Sequence, residues 1–237
     1  MGPSSACFVV IGAGGLGCPA LLALAAGGAT RAVVVDHDRV EAHNLQRQVL
    51  YDVGDVGALK ARAAARRLPS LHIEARCEQL QVQDVSAFVA SLPAATVVLE
   101  CTDQPALKFA VNDACLAHDV PLVIGAALGW AGQALAVRRG HACYRCIYEA
   151  PPQQAPRCDE AGVLGSGVGH IGMLMAHLAL AQLQTDDTSA GQLWVVDLLR
   201  FRVQRLAPAA RPACPAHDFP LPAREAAPVP TTPGPRA

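Results

Sequence analysis

Residues 9–38, VVIGAGGLGCPALLALAAGGATRAVVVDHD, restrict the possible folds of this chain more than any other stretch. Their order is an apolar strand, a glycine turn, a helix and a second strand that ends in Asp36. Gly12, Gly14 and Gly17 satisfy the spacing G-x-G-x-x-G, and Gly15 adds a fourth glycine. Without side chains, such a turn can bring a helix N-terminus close to a pyrophosphate. The stretch predicts a nucleotide-binding half-domain, with a tight turn that holds no ligand as the alternative.

Further short apolar runs follow the opening stretch and alternate with helical patterns. The predicted buried strands are residues 7–11, 32–35, 96–99 and 122–124, and the predicted helices are 16–26, 56–68, 85–91 and 106–117. Alternating strands and helices, with strands apolar on both faces, indicate an α/β fold with a doubly wound, Rossmann-like and mostly parallel sheet. After residue 129, extended segments around an apolar helix at 168–183 predict a mixed or antiparallel C-terminal part.

Composition limits the remaining choices. A chain of 237 residues with 52% hydrophobic content can form one domain, predicted here over 1–217, and six prolines in 218–237 predict a disordered tail. The net charge is −1 and the basic residues are scattered, which argues against nucleic-acid or membrane partners. Glycines interrupt the first apolar run, and no Lys or Arg precedes it, so we expect neither a signal peptide nor a membrane helix and predict a cytoplasmic protein.

The segment 36–68 separates two kinds of nucleotide chemistry. Asn44, Arg47, Gln48 and Lys60 follow Asp36 closely, and a guanidinium together with an ammonium suits a triphosphate from which pyrophosphate must leave. Taken singly, Arg47 and Lys60 would be better explained as part of a solvated face, but as a set beside Gly12–Gly17 they favour phosphate binding. A dehydrogenase would need only the glycine turn and Asp36, so an NAD-dependent oxidoreductase is the weaker alternative.

An acidic residue after a strand and a cysteine motif lie further along the chain. Asp103 follows the strand 96–99, so its carboxylate is expected at the ligand-binding edge of the sheet, either as a magnesium ligand or as the N-cap of the next helix. Cys143 and Cys146 form C-x-x-C, and Cys214 and His217 could complete a tetrahedral zinc knuckle. A redox disulfide, or no metal at all, is the alternative, and His141 is a spare ligand. Small core residues are predicted for Cys7, Cys18, Cys77, Cys101 and Cys115.

The chain resembles the ThiF, MoeB and HesA enzymes, bacterial relatives of ubiquitin-activating enzymes, from about residue 6 to about residue 217. The motifs that carry the resemblance are GAGGLG, VVVDHDRVEAHNLQRQVLY, VGALKARAAARRL, VVLECTDQ, PLVIGAALGWAGQ, CYRC and CDEAGVLG, in family order. The resemblance implies ATP-dependent adenylation of the C-terminal glycine of a small ubiquitin-like sulfur-carrier protein that ends in Gly-Gly, in thiamine, molybdopterin or related thiocarboxylate synthesis. It also implies a homodimer, and it suggests a cysteine desulfurase or another sulfur donor as a further partner. The predicted helix around Ile171, Leu174, Met175 and Leu178 has more apolar surface than one core side needs, which likewise predicts a dimer.

The resemblance assigns roles to individual residues. It implies that Gly14 and its neighbours bind the phosphates, that Asp36 binds the ribose, that Asn44, Arg47 and Lys60 bind the triphosphate, and that Asp103 binds Mg²⁺. Asp38, Gln48 and Gln104 are expected as further contacts of the nucleotide or its metal. In ThiF-like members a cysteine at the place of Cys158 joins covalently to the carrier, whereas in MoeB-like members it is dispensable.

The sequence departs from the family at three points. The family has an N-terminal segment with R-Y-S-R-Q that supplies an arginine to the partner subunit, and this chain begins close to its first strand. Gln104 replaces the asparagine of C-T-D-N, and His217 stands where the family has a fourth cysteine. These departures leave a catalytically degenerate, nucleotide-binding scaffold as the alternative to an active adenylyltransferase.

Overall fold

The protein is described by a computed structural model over residues 2–152, 162–184 and 188–217. The strands are β1 Cys7–Ile11, β2 Arg31–Val35, β3 His72–Arg76, β4 Thr96–Glu100, β5 Leu122–Leu128, β6 Ala131–Val137, β7 Leu193–Asp197 and β8 Arg202–Leu206. The helices are α1 Gly17–Ala26, α2 Lys60–Arg67, α3 Val85–Ala90, α4 Pro105–Ala117, α5 Tyr144–Ile147 and α6 Gly165–Ala181. The predicted tail at 218–237 lies outside the described residues.

All eight strands form one sheet in the order β3-β2-β1-β4-β5-β6-β7-β8. The strands from β3 to β5 are parallel, and β5 to β8 pair antiparallel, which confirms the predicted fold class. Ile11 pairs with Val35 on one side and with Glu100 on the other. The residues that follow β1, β2 and β4 therefore meet at one edge of the sheet.

Helices cover both faces of the sheet, and each face has its own apolar core. Alternating residues of β1 divide between the cores: Phe8 and Val10 face α1, α2 and α6, whereas Val9 and Ile11 face α3 and α4. Strands buried on both faces must be apolar at nearly every position, as β1 is. This arrangement explains the continuous apolar runs in the sequence.

Helix α6 packs closely on α1. A Cβ at Gly172 would lie 2.4 Å from the carbonyl oxygen of Leu16, so only glycine permits this approach. Ile171, Met175 and Leu178 are at most 1% exposed and belong to the core of their own chain. The sequence predicts a dimer surface that includes these residues. For Ile171, Met175 and Leu178 this prediction is wrong, because they are buried in their own chain.

One helix boundary and one strand differ from the sequence-based expectation. The helix expected at 56–68 begins only at Lys60, because Asp52 and Asp55 cap a separate short 3-10 turn and Gly57 has a φ of +88°. Strand β3 was not predicted, because its residues HIEAR are mostly polar and it lies at the sheet edge. Among the described residues, no helix is long and apolar enough to cross a membrane.

Candidate functional site

The glycine turn between β1 and α1 is held by direct backbone contact. A Cβ at Gly17 would lie 2.0 Å from the carbonyl oxygen of Gly12, and Gly12 itself has a φ of +92°. Any larger residue at either position would open the turn. A Cβ at Gly14 would have only the Gln48 amide nitrogen, at 3.8 Å, within reach. The turn therefore leaves open space above Gly14, where a phosphate group could approach the backbone.

Asp36 is tied to the glycine turn through its carboxylate. The backbone N–H of Ala13 donates to Oδ2 at 2.7 Å, and the N–H of Asp38 donates to Oδ1 at 2.8 Å. Burial raises the pKa of Asp36, although the positive charge of Lys60 and the two N–H donors oppose this rise. Each carboxylate oxygen can accept a second hydrogen bond. Asp36 can thus bind a ribose hydroxyl while it holds the turn.

Lys60 places a cation beside this carboxylate. Its side chain is 8% exposed, and Nζ donates to Oδ2 of Asp38 at 2.8 Å. The Tyr51 hydroxyl connects the helix start to the glycine turn, because it lies 2.9 Å from the Ala13 carbonyl oxygen and 3.2 Å from that of Lys60. Burial raises the pKa of Tyr51 far above its ordinary value, so the hydroxyl stays protonated and donates a hydrogen bond to a carbonyl oxygen. Sequence reasoning did not find this role of Tyr51.

Asn44, Arg47 and Gln48 lie on the segment between β2 and Tyr51. Asn44 is buried, and its Oδ1 accepts from Nη2 of the half-buried Arg47 at 3.0 Å. Gln48 is only 3% exposed, yet its Oε1 has no hydrogen-bond partner among the described residues. An unpaired buried oxygen costs about 1–3 kcal/mol, and a bound ligand that donates to it would remove that cost. The donor set and the open space above Gly14 fit a bound nucleoside triphosphate.

Asp103 and Gln104 follow β4 at the same sheet edge. Both are exposed, and within the described part of the chain the Asp103 carboxylate makes no side-chain hydrogen bond. The N-cap of α4 is Gln104, without a side-chain bond, so the alternative of Asp103 as the helix cap is wrong. An exposed carboxylate next to a phosphate-binding turn has the chemistry of a Mg²⁺ ligand.

The four predicted zinc ligands come together at the other end of the molecule. Cys143 Sγ lies 3.7 Å from Cys146 Sγ and 3.7 Å from Cys214 Sγ, and Cys146 Sγ lies 3.6 Å from His217 Nε2. All four ligand atoms lie within 4.8 Å of one another. A tetrahedral zinc with Zn–S bonds of about 2.3 Å would separate two sulfurs by about 3.8 Å and sulfur from nitrogen by about 3.6 Å. The residues present therefore fit a Cys₃His metal site.

Electrostatics at this cluster link metal binding to pH. Burial raises the pKa of the Cys143 thiol to about 12. Burial raises the pKa of the Cys146 thiol, but hydrogen bonds from backbone groups, including the Arg211 N–H at 3.3 Å, and from the Cys143 and Cys214 side chains outweigh it, so the pKa of Cys146 is lowered. A bound metal ion requires deprotonated sulfur, so binding at pH 7 would release protons from the cluster.

The remaining sequence predictions have mixed outcomes. Cys158 lies outside the described residues. His141 is absent from the metal-binding cluster. His170 and His177 are exposed on one face of α6. The cysteines predicted as small core residues are buried, except Cys77, which is half-buried.

Comparison with known protein families and relatives places this chain among enzymes of the kind that the site geometry suggests. The chain matches the ThiF family over residues 4–216. The chain belongs to the ThiF family. It is 39% identical over 220 residues to a sulfur carrier protein adenylyltransferase of Thermus thermophilus, covering 89% of this chain and 81% of the relative. It is 36% identical over 192 residues to the sulfur carrier protein ThiS adenylyltransferase of Escherichia coli, covering 80% and 76%.

Other relatives are longer, and the solved structures are more distant. The adenylyltransferase and sulfurtransferase MOCS3 of Anopheles gambiae is 38% identical over 216 residues, which are 88% of this chain but only 49% of that protein. This ThiF-family chain thus spans about half the length of that relative. A crystal structure of Escherichia coli MccB superposes with a TM-score of 0.76 at 18% identity, covering 90% of this chain and 67% of MccB. At that identity the likeness supports the ThiF-like fold alone.

Proposed function

We propose that this protein uses ATP and Mg²⁺ to adenylate the C-terminal carboxylate of a small ubiquitin-like sulfur-carrier protein that ends in Gly-Gly. The observation that carries the proposal is the buried Lys60 ammonium, which pairs with Asp38 and whose positive charge acts on Asp36, the residue bound to the glycine turn. A dinucleotide carries less phosphate charge and needs no such cation. The names of the Thermus thermophilus and Escherichia coli relatives support the same substrate class.

The chemistry follows from the charges at the site. The carrier's carboxylate is ionised at pH 7 and attacks the α-phosphorus of ATP without a general base. A bond forms from carboxylate oxygen to phosphorus, and the bond from the α-phosphorus to the bridging oxygen of pyrophosphate breaks. Arg47 and Lys60 would stabilise the charge that develops on the phosphate oxygens, and Asp36 would hold the ribose. Mg²⁺, bound by Asp103 with Gln104 nearby, would supply further charge neutralisation.

ATP–pyrophosphate exchange tests the proposed function. We expect exchange only when a carrier ending in Gly-Gly is present with Mg²⁺, because the carboxylate of the last glycine is the nucleophile. The matched control is the same carrier without its last glycine, which should give no exchange. ATP binding without exchange would instead indicate a degenerate scaffold, and tight NAD binding without ATP binding would overturn the assignment.

Partners and later steps are part of this proposal. A cysteine desulfurase or another sulfur donor would act on the adenylate, and the reaction would take place in the cytoplasm. The role of Cys158 in a covalent sulfur-transfer step stays a prediction.

We also infer a homodimer, with an interface that keeps only Leu174 of the four residues that the sequence indicated. Met173 is 53% exposed on the outer side of α6. Leu22 on α1 and Leu174 on α6 are only partly buried.

Sedimentation should give a dimer at micromolar concentration, and Met173→Glu should shift the protein to a monomer, because it places a charge in an apolar contact. Val82→Glu, on the opposite face of the sheet, should stay dimeric. A monomeric wild type would contradict the inference.

A further inference from the structure

A buried ion pair lies at the end of β4, directly before the segment 101–104 that contains Asp103. Glu100, the last residue of β4, has a fully buried side chain, and its Oε2 accepts from Nζ of Lys108, whose side chain is 6% exposed. The Lys108 ammonium also donates to the carbonyl oxygen of Gly125 on β5 at 2.7 Å. The pair therefore joins β4, α4 and β5 inside a mostly apolar layer. In the sequence, a glutamate at the end of the apolar run TVVLE was the signal that could have predicted a buried charge at Glu100.

Packing alone does not account for this pair. Removing two charges from water costs several kcal/mol for each ion, so a buried ion pair is often no more stable than apolar residues of the same size. The pair does, however, hold neighbouring residues in place. The second carboxylate oxygen of Glu100, Oε1, binds one of them.

Oε1 of Glu100 holds Thr102 by two hydrogen bonds. The Thr102 N–H donates at 3.1 Å, and the Thr102 hydroxyl donates to the same oxygen. Thr102 in turn lies against the glycine turn, because a Cβ at Gly12 would be 3.1 Å from Thr102 Cγ2. Asp103 is the next residue, and its exposed carboxylate has no side-chain hydrogen bond among the described residues to orient it. Thr102 is thus held by Glu100 on one side and packed against Gly12 on the other, directly before Asp103 in the chain.

We propose that Glu100 and Lys108 are positioning residues for adenylation: through Thr102 they fix the backbone of Asp103 beside the glycine turn, from which its carboxylate would bind the Mg²⁺ of Mg·ATP. This inference rests on the proposed function insofar as Asp103 binds Mg²⁺. Neither Glu100 nor Lys108 touches the substrate. Their effect is expected in the dependence of the reaction on Mg²⁺ concentration.

Thr102 offers the sharpest test, because its hydroxyl can be removed without burying an unpaired charge. We expect Thr102→Val to raise the Mg²⁺ concentration for half-maximal ATP–pyrophosphate exchange about tenfold, the scale of one lost hydrogen bond to a charged group. Thr102→Ser keeps the hydroxyl and should behave like wild type. A Thr102→Val curve that matches wild type would overturn the proposal.

A matched ion pair on the same helix separates positioning from stability. Asp113 on α4 makes a bidentate ion pair with Arg145, the residue directly before Cys146 in the chain. Asp113→Asn should lower the melting temperature and leave the half-maximal Mg²⁺ concentration unchanged. If it shifts the Mg²⁺ curve as strongly as Thr102→Val does, a general loss of stability explains both results and the proposal fails.

Amide hydrogen exchange tests the same pair without any enzyme activity. Lys108→Arg keeps the charge, whereas Lys108→Met removes it, and we expect faster exchange across residues 101–104 in Lys108→Met than in Lys108→Arg. Equal protection in the two variants would overturn the positioning role even in a protein without activity. Absence of ATP–pyrophosphate exchange in the wild type, by contrast, would overturn only the proposed function.

Discussion

Replacing Lys60 with alanine is expected to lower ATP–pyrophosphate exchange by about a hundredfold or more, the scale seen when one charge-stabilising group is removed from a transition state. The Lys60 ammonium lies 2.8 Å from Oδ2 of Asp38. Asp38 is hydrogen-bonded to Asp36, which binds the Ala13 N–H of the glycine turn. Removing the Lys60 ammonium also leaves the Asp38 carboxylate without this cation in a site that must accept a triphosphate. Steady-state exchange at saturating ATP and carrier measures the effect.

Arg62 is the matched control for this experiment. It lies on the same helix, α2, and is exposed. Arg62→Ala removes an equal charge and should keep exchange close to the wild-type rate. Asp103→Ala should lower exchange to the same degree as Lys60→Ala. If both Lys60→Ala and Asp103→Ala exchange at the wild-type rate, the site has been placed wrongly.

Loss of the metal cluster is expected to have the largest effect on stability. We expect one zinc ion per chain, held by Cys143, Cys146, Cys214 and His217, and we expect Cys214→Ser or a strong chelator to remove it. Structural zinc contributes binding free energy of about 10–16 kcal/mol in small peptides, which is as large as the stability of a whole domain. The melting temperature should fall by about 10 °C or more, which corresponds to several kcal/mol in a domain of this size.

The half-buried Cys77 provides the control for this experiment, because it lies outside the metal-binding cluster. Cys77→Ser should keep both the zinc and the melting temperature. Metal analysis and thermal unfolding give the two readouts. A metal-free protein of undiminished stability would disprove the site. A mass lower by two hydrogen atoms, which a reducing agent restores, would show a disulfide in its place.

Much of the site could be predicted because its signals are local. The glycine spacing, the acid at the end of β2 and the C-x-x-C motif each lie within a short stretch, and short stretches encode turns and strand ends directly. The parallel order of β1, β2 and β4 then places Gly12, Asp36 and Asp103 at one edge, as expected from the alternation of strands and helices.

What the sequence by itself determined is the fold class and the set of residues at the carboxyl edge of the sheet, because strand and helix periods and glycine turns depend on neighbours a few positions away. Only the tertiary structure decided that His217 reaches Cys146, that Ile171 and Met175 face their own core, and that Lys108 is buried on Glu100. Each of these contacts joins residues on different elements or buries one element against another. Whether a side chain is buried, paired or exposed depends on how those elements pack, which no local pattern records.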